Sequence, residues 1–206
     1  MRIVGAIGGM ALLCGLMYVG LAPVRALGQS GNDSPSGPDV LIVYSTGNVR
    51  TGTMKLDAVT TPTPAKENMR TVAEKLAAAL MAKKIDARAV LVSDVKTHEE
   101  ILKPGVLVLG SPAYFNNASW QFMKFIDEMF WPIWLDKNKL QNHKAAVFSM
   151  ADHEESCHKV NDILKTLVTN ARGTVGPAMV VVSTNTPDQV NRAVEQFAEE
   201  IKAFGK

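Results

Sequence analysis

From Asp39 to the end of the chain, short apolar runs alternate with segments in which apolar residues recur every three or four positions. An uninterrupted apolar run is typical of a strand buried on both faces of a sheet. Apolar residues at helical spacing indicate a helix with one buried face. The predicted strands are 40–44, 89–92, 106–109, 145–148 and 179–182.

Capping residues mark where several of the predicted helices begin. Thr63 is a suitable N-cap, and Pro64 suits the first position of a helix. Asp152 and Thr186 each have the spacing of a capping box. The predicted helices are 64–83, a short one within 94–102, one from Ser119 through Met129, one behind Asp152 and one behind Thr186. Strict alternation of strands and helices predicts one α/β domain, a parallel sheet covered on both faces.

The N-terminal segment has a different pattern. After Arg2, residues 3–24 carry no charge, and a helix of that length can cross a hydrocarbon core of about 30 Å. Small residues up to Ala26 match a signal peptide cleaved after that position, and the alternative is an uncleaved anchor. In either case we expect an exported or membrane-tethered protein, with residues 1–26 as signal or anchor, 27–38 as a flexible linker and 39–206 as the domain.

Composition narrows the class of protein further. Hydrophobic residues make up 47% and charged residues 20%, which is typical of a globular chain. Arg2 and Arg25 account for the whole excess of Lys+Arg over Asp+Glu, so residues 27–206 are formally neutral. A neutral domain argues against nucleic acid as a partner. Two cysteines exclude a zinc ribbon or a multiple-disulfide scaffold.

Ligands of an open parallel sheet bind beyond the carboxyl ends of its strands. The loop after the first strand, Ser45-Thr46-Gly47-Asn48, offers hydroxyls and backbone amides that suit a phosphate, although such residues are equally typical of a tight turn. After the third strand, Tyr114 or Phe115 suits stacking on a flat ring, and Asn116 and Asn117 suit polar contacts. A polar loop that caps the next helix is the alternative.

Three stretches of the chain together resemble the flavodoxin-like superfamily. They are the first strand with Ser45 to Asn48, the stretch from Val108 to Asn117, and the stretch from Lys144 to Ser149. The second is similar to the corresponding loop of flavodoxin-like NAD(P)H:quinone oxidoreductases. The resemblance covers about residues 39–204. It implies a three-layer, doubly wound, five-stranded parallel sheet of order 2-1-3-4-5 with FMN at the carboxyl edge.

The same resemblance implies roles for individual residues. The phosphate of FMN would be held by Ser45, Thr46, Gly47 and Asn48. The ring would be flanked on one side by Pro112, Ala113, Tyr114, Phe115, Asn116 and Asn117, and on the other by Ser149, Met150, Ala151 and Asp152. His153 would orient a quinone oxygen or deliver a proton, as a candidate catalytic residue. The implied function is electron transfer to a redox partner protein, or reduction of a small quinone or FMN by NAD(P)H.

Two other functions stay open. Flavodoxins usually have threonines where this chain has Tyr44 and Val49, and residues 49–63 separate the first loop from the predicted helix. These differences favour a binding protein that keeps the fold and has lost FMN. The third hypothesis is a metal-linked function of the cluster 152–158, in which His153 and Cys157 share a helix face, as do Glu154 and His158.

An aromatic concentration surrounds the third predicted helix. It consists of Trp120, Trp131 and Trp134 together with Phe122, Phe125 and Phe130. A core anchor or a cluster at the helix end is one interpretation, and a hydrophobic patch for a partner or a lid over the flavin is the other.

Overall fold

The computed structural model describes residues 37–46, 68–135 and 140–206. The described ranges all belong to one compact unit, Pro35–Lys206. The predicted signal or anchor, Gly47, Asn48 and the predicted cap Thr63 lie outside the described residues. Within these ranges, no helix is both long enough and apolar enough to cross a bilayer.

The sheet confirms the predicted topology. The strands are β1 (Val40–Tyr44), β2 (Ala87–Leu91), β3 (Val106–Tyr114), β4 (Asn117–Ala118), β5 (Lys144–Ala151) and β6 (Thr174–Val182). The path through the sheet is β2-β1-β3-β5-β6, and every neighbouring pair along it is parallel. Since β5 and β6 are the fourth and fifth predicted strands, this is the order 2-1-3-4-5. The short β4 pairs antiparallel with the end of β3.

Helices cover both faces of the sheet and bury two separate apolar cores. Helices α1 (Met69–Ala82) and α6 (Pro187–Gly205) pack on one face. The opposite face is covered by α2 (His98–Leu102), α3 (Trp120–Phe125), α4 (Trp131–Leu135) and α5 (Glu154–Asn170), with a π-helical segment, Ile126–Phe130, joining α3 to α4. The fold is therefore a three-layer α/β sandwich.

The predicted caps had mixed outcomes. Ser119 accepts a hydrogen bond from the amide of Phe122, and Thr186 forms a capping box with Gln189, as predicted. The first helix begins later than the predicted residue 64: α1 begins at Met69, and the side chain of Asn68, its N-cap, accepts from Thr71 N.

The capping box predicted at Asp152 is wrong. The N-cap of α5 is His153, and the Asp152 carboxylate instead accepts a 2.6 Å hydrogen bond from Ser183 Oγ. Two strands run further than their apolar cores suggest. Pro112 to Tyr114 belong to β3, and Ser149 to Ala151 belong to β5, so these residues lie in strands rather than in loops.

Candidate functional site

Three buried serines join the ends of β1 and β3 to the start of α3. The hydroxyls of Ser45 and Ser119 lie 2.7 Å apart, and the amide of Ser119 donates to Ser111 Oγ at 3.0 Å. The amide of Ser45 donates to the carbonyl of Gly110 at 3.0 Å. The amide and the hydroxyl of Ser45 therefore both have partners inside the fold. Of the predicted phosphate loop, the described residue nearer to solvent is the half-buried Thr46.

A two-residue turn connects β3 to β4 and presents an aromatic side chain to solvent. Phe115 and Asn116 both have positive φ, 51° and 64°, the pattern of a type I′ hairpin turn. Asparagine adopts this conformation readily, whereas for phenylalanine it costs about 1–2 kcal/mol. The ring of Phe115 is fully exposed at 102% relative accessibility, so burial does not offset that cost. A strained, solvent-facing aromatic residue points to a role at the surface.

The Phe115→Asn variant is therefore expected to unfold at a higher urea concentration than the natural protein. Its free energy of unfolding should rise by about 1 kcal/mol, because asparagine relieves the strain at the first turn position. Equilibrium urea denaturation followed by circular dichroism measures this gain. Phe115→Leu is the matched control, since leucine keeps the strain and should leave the free energy of unfolding near that of the natural protein. Equal stability of all three chains would contradict the strain at Phe115.

A hydrogen bond attaches the hairpin to the start of α5, the helix that follows β5. Ser156 Oγ donates a 2.7 Å hydrogen bond to Asn116 Oδ1, which fixes the turn against the first turn of α5. Together with the link from Ser45 to Ser119, this contact brings the ends of β1, β3 and β5 to one edge of the sheet. The described residues that follow β1, β3 and β5 therefore meet at the carboxyl edge of the sheet.

The residues at the end of β5 differ in accessibility. Ser149 is buried, and its hydroxyl donates to the Cys157 carbonyl at 2.8 Å, so it supports the start of α5. Met150 and Ala151 are half-buried, while Asp152 and His153 are exposed. Asp152 and His153 are thus the residues of this segment whose side chains face solvent.

Two neighbouring clefts open at this edge. The β1–β2 cleft, of about 410 Å³, lies between the ends of β1 and β2 and the helical segment that starts at Trp120. The hairpin groove, of about 710 Å³, lies between the hairpin and α3. Trp120 and Lys124 line both. The hairpin groove is mainly apolar, with Tyr114, Phe115, Trp120 and Met123 around it and Lys124 and Asp127 at its polar side.

Sequence reasoning missed several residues of the β1–β2 cleft. Ser93 follows β2 at the same edge, and the rule for strand ends would have identified it. Lys124 and Glu128, which form an ion pair at 3.5 Å, could be assigned to the cleft only once the face of α3 that turns toward β1 was known.

Burial controls the ionisation of two groups near the edge. Partial burial raises the pKa of the Tyr114 phenol, so this group remains a neutral hydrogen-bond donor near neutral pH. Burial likewise raises the pKa of the Cys157 thiol, against the opposing effect of hydrogen bonds. Its Sγ lies 3.5 Å from the carbonyl oxygen of Val181. Cys157 is accordingly a neutral thiol of the core.

The cluster 152–158 does not converge on a common point. Cys157 is buried, whereas His158 pairs with Glu154 at 3.3 Å on the surface. Asp152 is bound to Ser183. Within the described ranges, no three side chains of histidine, cysteine, aspartate or glutamate are placed to hold a metal ion together. The geometry of the described residues thus gives the metal hypothesis no support.

The core-anchor interpretation of the aromatic concentration is confirmed for its three phenylalanines and wrong for its three tryptophans. Trp120, Trp131 and Trp134 are 49%, 54% and 40% exposed. The phenylalanines of the same segment supply the core instead: Phe122 packs edge-to-face on Phe125, and Phe125 on Phe130.

The fold of this chain is similar to those of several solved structures. A WrbA-like flavodoxin from Agrobacterium tumefaciens is similar over 81% of this chain and 97% of its own, with a TM-score of 0.57 and 16% identity. Oxidised flavodoxin 1 from Bacillus cereus is similar over 80% and 97%, with a TM-score of 0.59 and 16% identity. The chain has the flavodoxin-like fold.

The flavodoxin-like fold of this chain is also similar to part of a larger protein. Rubredoxin oxygen:oxidoreductase from Desulfovibrio gigas matches 82% of this chain with 37% of its own length, at a TM-score of 0.56 and 15% identity. No protein-family model and no curated protein sequence matches the chain. The likeness therefore lies in the fold alone.

Proposed function

We propose that this protein binds FMN at the carboxyl edge of its sheet and acts as a flavodoxin-like redox protein. The observation that carries the proposal is the hairpin, which holds Tyr114 and the strained, fully exposed Phe115 at the end of β3. This strand lies beside β1, where the strand order reverses, the position at which doubly wound sheets bind ligands. A flat ring is the ligand that stacks on exposed aromatic side chains.

The donor chemistry of the described residues suits the ring of FMN. Exposed aromatic side chains of Tyr114, Phe115 and Trp120 surround an apolar groove, and the Tyr114 phenol, neutral near pH 7, belongs to its lining. Lys124 adds a positive charge at the edge of the groove. Bound flavin would supply the electron chemistry, while these residues would hold the ring and limit the access of water.

Described donors for the phosphate are fewer. Ser45 uses its amide and its hydroxyl within the fold, which leaves Thr46 as the described member of the predicted loop. This observation favours a second candidate function, a binding protein that keeps the flavodoxin-like fold and has lost FMN. The two candidates differ in a directly measurable property, the affinity for flavin.

Within the first candidate, electron transfer to a redox partner and reduction of a quinone by NAD(P)H are both compatible with an open site. His153 lies exposed at the N-cap of α5, one turn from the Ser156 that binds the hairpin. A histidine there suits proton delivery to a reduced quinone, so we include it in the proposal as the candidate acid.

An absorbance spectrum of the purified chain, followed by FMN titration monitored through flavin fluorescence, tests the proposal. We expect a flavin spectrum or saturable quenching of added FMN, because stacking on aromatic side chains quenches flavin emission. Reduction of the bound flavin by NAD(P)H, with transfer to a quinone, would then separate a reductase from a carrier. Absence of binding at millimolar FMN would overturn the proposal and support the second candidate.

A further inference from the structure

Two exposed tryptophans form an apolar surface that the proposed flavin site does not use. Trp131 and Trp134 stack with their ring centroids 4.9 Å apart and an interplanar angle of 22°. Beside them lies a groove of about 260 Å³ between the π-helical segment, α4 and the end of α5. The next residue, Leu135, is also exposed. Tryptophan is highly buried on average in soluble domains, so an exposed stacked pair requires an explanation.

The tryptophan pair lies toward the amino edge of the sheet, opposite to the flavin site. Leu167, Asn170 and Ala171 at the end of α5 line its groove, and β6 begins just beyond them. At that point Thr174 N donates to the carbonyl of His143, immediately before β5. The chain also enters the sheet at this edge, where the Asp39 carbonyl accepts from Val106 N.

The two edges of the sheet differ in charge. Among the described residues that connect helix ends to strand starts, Lys83 is occupied by ion pairs with Glu195 and Glu199. The remaining described charged residues at the amino edge are Lys84, Lys103, Lys144, Arg172 and Lys206 against Asp39 and Asp86. The Nζ of Lys144 lies 5.6 Å from the centre of the Phe204 ring, and Asp127 lines the groove beside the tryptophan pair. At the carboxyl edge, the described strand-to-helix connections and first helical turns carry Asp94, Glu99, Glu100, Asp152, Glu154, Glu155 and Asp188 against Arg70 and Lys96. Among the described residues, the amino edge is therefore basic and the carboxyl edge acidic.

The chain before the described residues favours one partner for this edge. Residues 3–24 form the uncharged apolar run, and residues 27–38 lead from it to Asp39. A segment of twelve residues spans at most about 40 Å even when fully extended. If the apolar run stays in a bilayer, a lipid surface is therefore the partner within reach of the domain.

We propose that the amino edge docks on an anionic lipid surface, with Trp131, Trp134 and Leu135 in the interfacial region and Lys144 and Arg172 on the headgroups. Tryptophan rings are enriched at membrane interfaces because they combine an apolar body with a polar N–H group. Basic residues add an attraction to anionic headgroups that decreases with salt. Docked in this way, the protein presents its acidic edge and the proposed flavin site to water.

Quenching of tryptophan fluorescence by brominated lipids tests the docked orientation, because the chain contains only three tryptophans. The full chain would be reconstituted with phosphatidylglycerol and phosphatidylcholine vesicles whose acyl chains carry bromine. Trp120→Phe leaves Trp131 and Trp134 as reporters, and the Trp131→Phe/Trp134→Phe double variant leaves Trp120 at the opposite edge. We expect blue-shifted, quenched emission in the first variant and unquenched emission in the second.

Charge variants provide a second readout. Lys144→Gln and Arg172→Gln are each expected to lower the ratio of docked to undocked protein about fivefold, whereas Lys96→Gln at the opposite edge should leave it unchanged. Equal quenching of both reporters, or no quenching of either, would overturn the proposal. A third outcome would also overturn it: the chain self-associates, the Trp131→Phe/Trp134→Phe variant does not, and vesicles quench neither reporter. The surface would then bind a second copy of the chain.

Discussion

The Gly110→Ala variant is expected to lose about 3 kcal/mol of unfolding free energy, because the centre of the sheet has no room for a methyl group. A Cβ at Gly110 would lie 2.1 Å and 2.2 Å from two carbons of the Phe148 ring. Phe148 is fully buried and sits directly beside Gly110 in the register of β3 and β5. The clash could be relieved only by movement of β3 and β5 or of the buried Phe148 ring.

Equilibrium urea denaturation of Gly110→Ala and Gly105→Ala measures this effect. Gly105→Ala is the matched control, since its new Cβ would meet only the Asp39 carbonyl at 3.4 Å, an ordinary contact. We expect the control to change stability by about 0.5 kcal/mol or less. Replacement of the Phe148 ring by leucine should lower the free energy of unfolding by less in the Gly110→Ala variant than in the natural chain. Similar losses for the two alanine variants would contradict tight packing at Gly110.

Gly110 also links the packing of the sheet to the candidate site. Its carbonyl accepts from the amide of Ser45, and the next residue, Ser111, accepts from the amide of Ser119. Displacement of β3 at this point would therefore shift the serine cluster and, through it, the hairpin. We expect Gly110→Ala to weaken ligand binding even under conditions in which the variant remains folded.

The sheet was predictable because its strands are simple in sequence. The run Val40–Tyr44 is buried at every position, and a strand buried on both faces must be apolar throughout. Ser119 and Thr186 were also predictable, since a hydroxyl that caps a helix acts on residues close to it in sequence. Local hydrogen bonds and burial can both be predicted from the order of residues along the chain.

The hairpin was not predictable as a hairpin. The apolar run of β3 ends before Gly110, and the following serine and proline are more typical of a loop. The turn itself carries Phe115-Asn116 rather than the Asn-Gly pair that favours a type I′ turn. Tertiary contacts stabilise it, above all the hydrogen bond from Ser156 to Asn116, and such a contact between distant residues has no sequence signal.

The orientation of side chains set a similar limit. Sequence placed Ser45 at the edge of the sheet, where a phosphate site is expected, but the direction of its hydroxyl depends on Ser111 and Ser119. The tryptophans show the same limit, because a helical stripe of phenylalanines in the same segment competes with them for the core. Identity and spacing do not decide which of two aromatic stripes faces the sheet.

Removal of the Tyr114 ring is expected to have the largest effect on ligand binding. Stacking of a flat ring on an aromatic side chain contributes about 1–3 kcal/mol, so Tyr114→Ala should weaken flavin binding roughly 5- to 100-fold. Tyr114 is half-exposed at the end of β3 and lines the hairpin groove. Met81→Ala, which removes an exposed apolar side chain from α1 on the opposite face, is the matched control and should leave the affinity unchanged.

Parallel titrations of FMN and riboflavin against the natural chain and Tyr114→Ala test the central proposal most directly. Riboflavin has the same ring and no phosphate, so a site that recognises the ring through the hairpin should bind both ligands. We expect Tyr114→Ala to weaken both by the same factor, while Met81→Ala weakens neither. If FMN binds and Tyr114→Ala leaves its affinity unchanged, or if neither flavin binds the natural chain, the hairpin is not a flavin site.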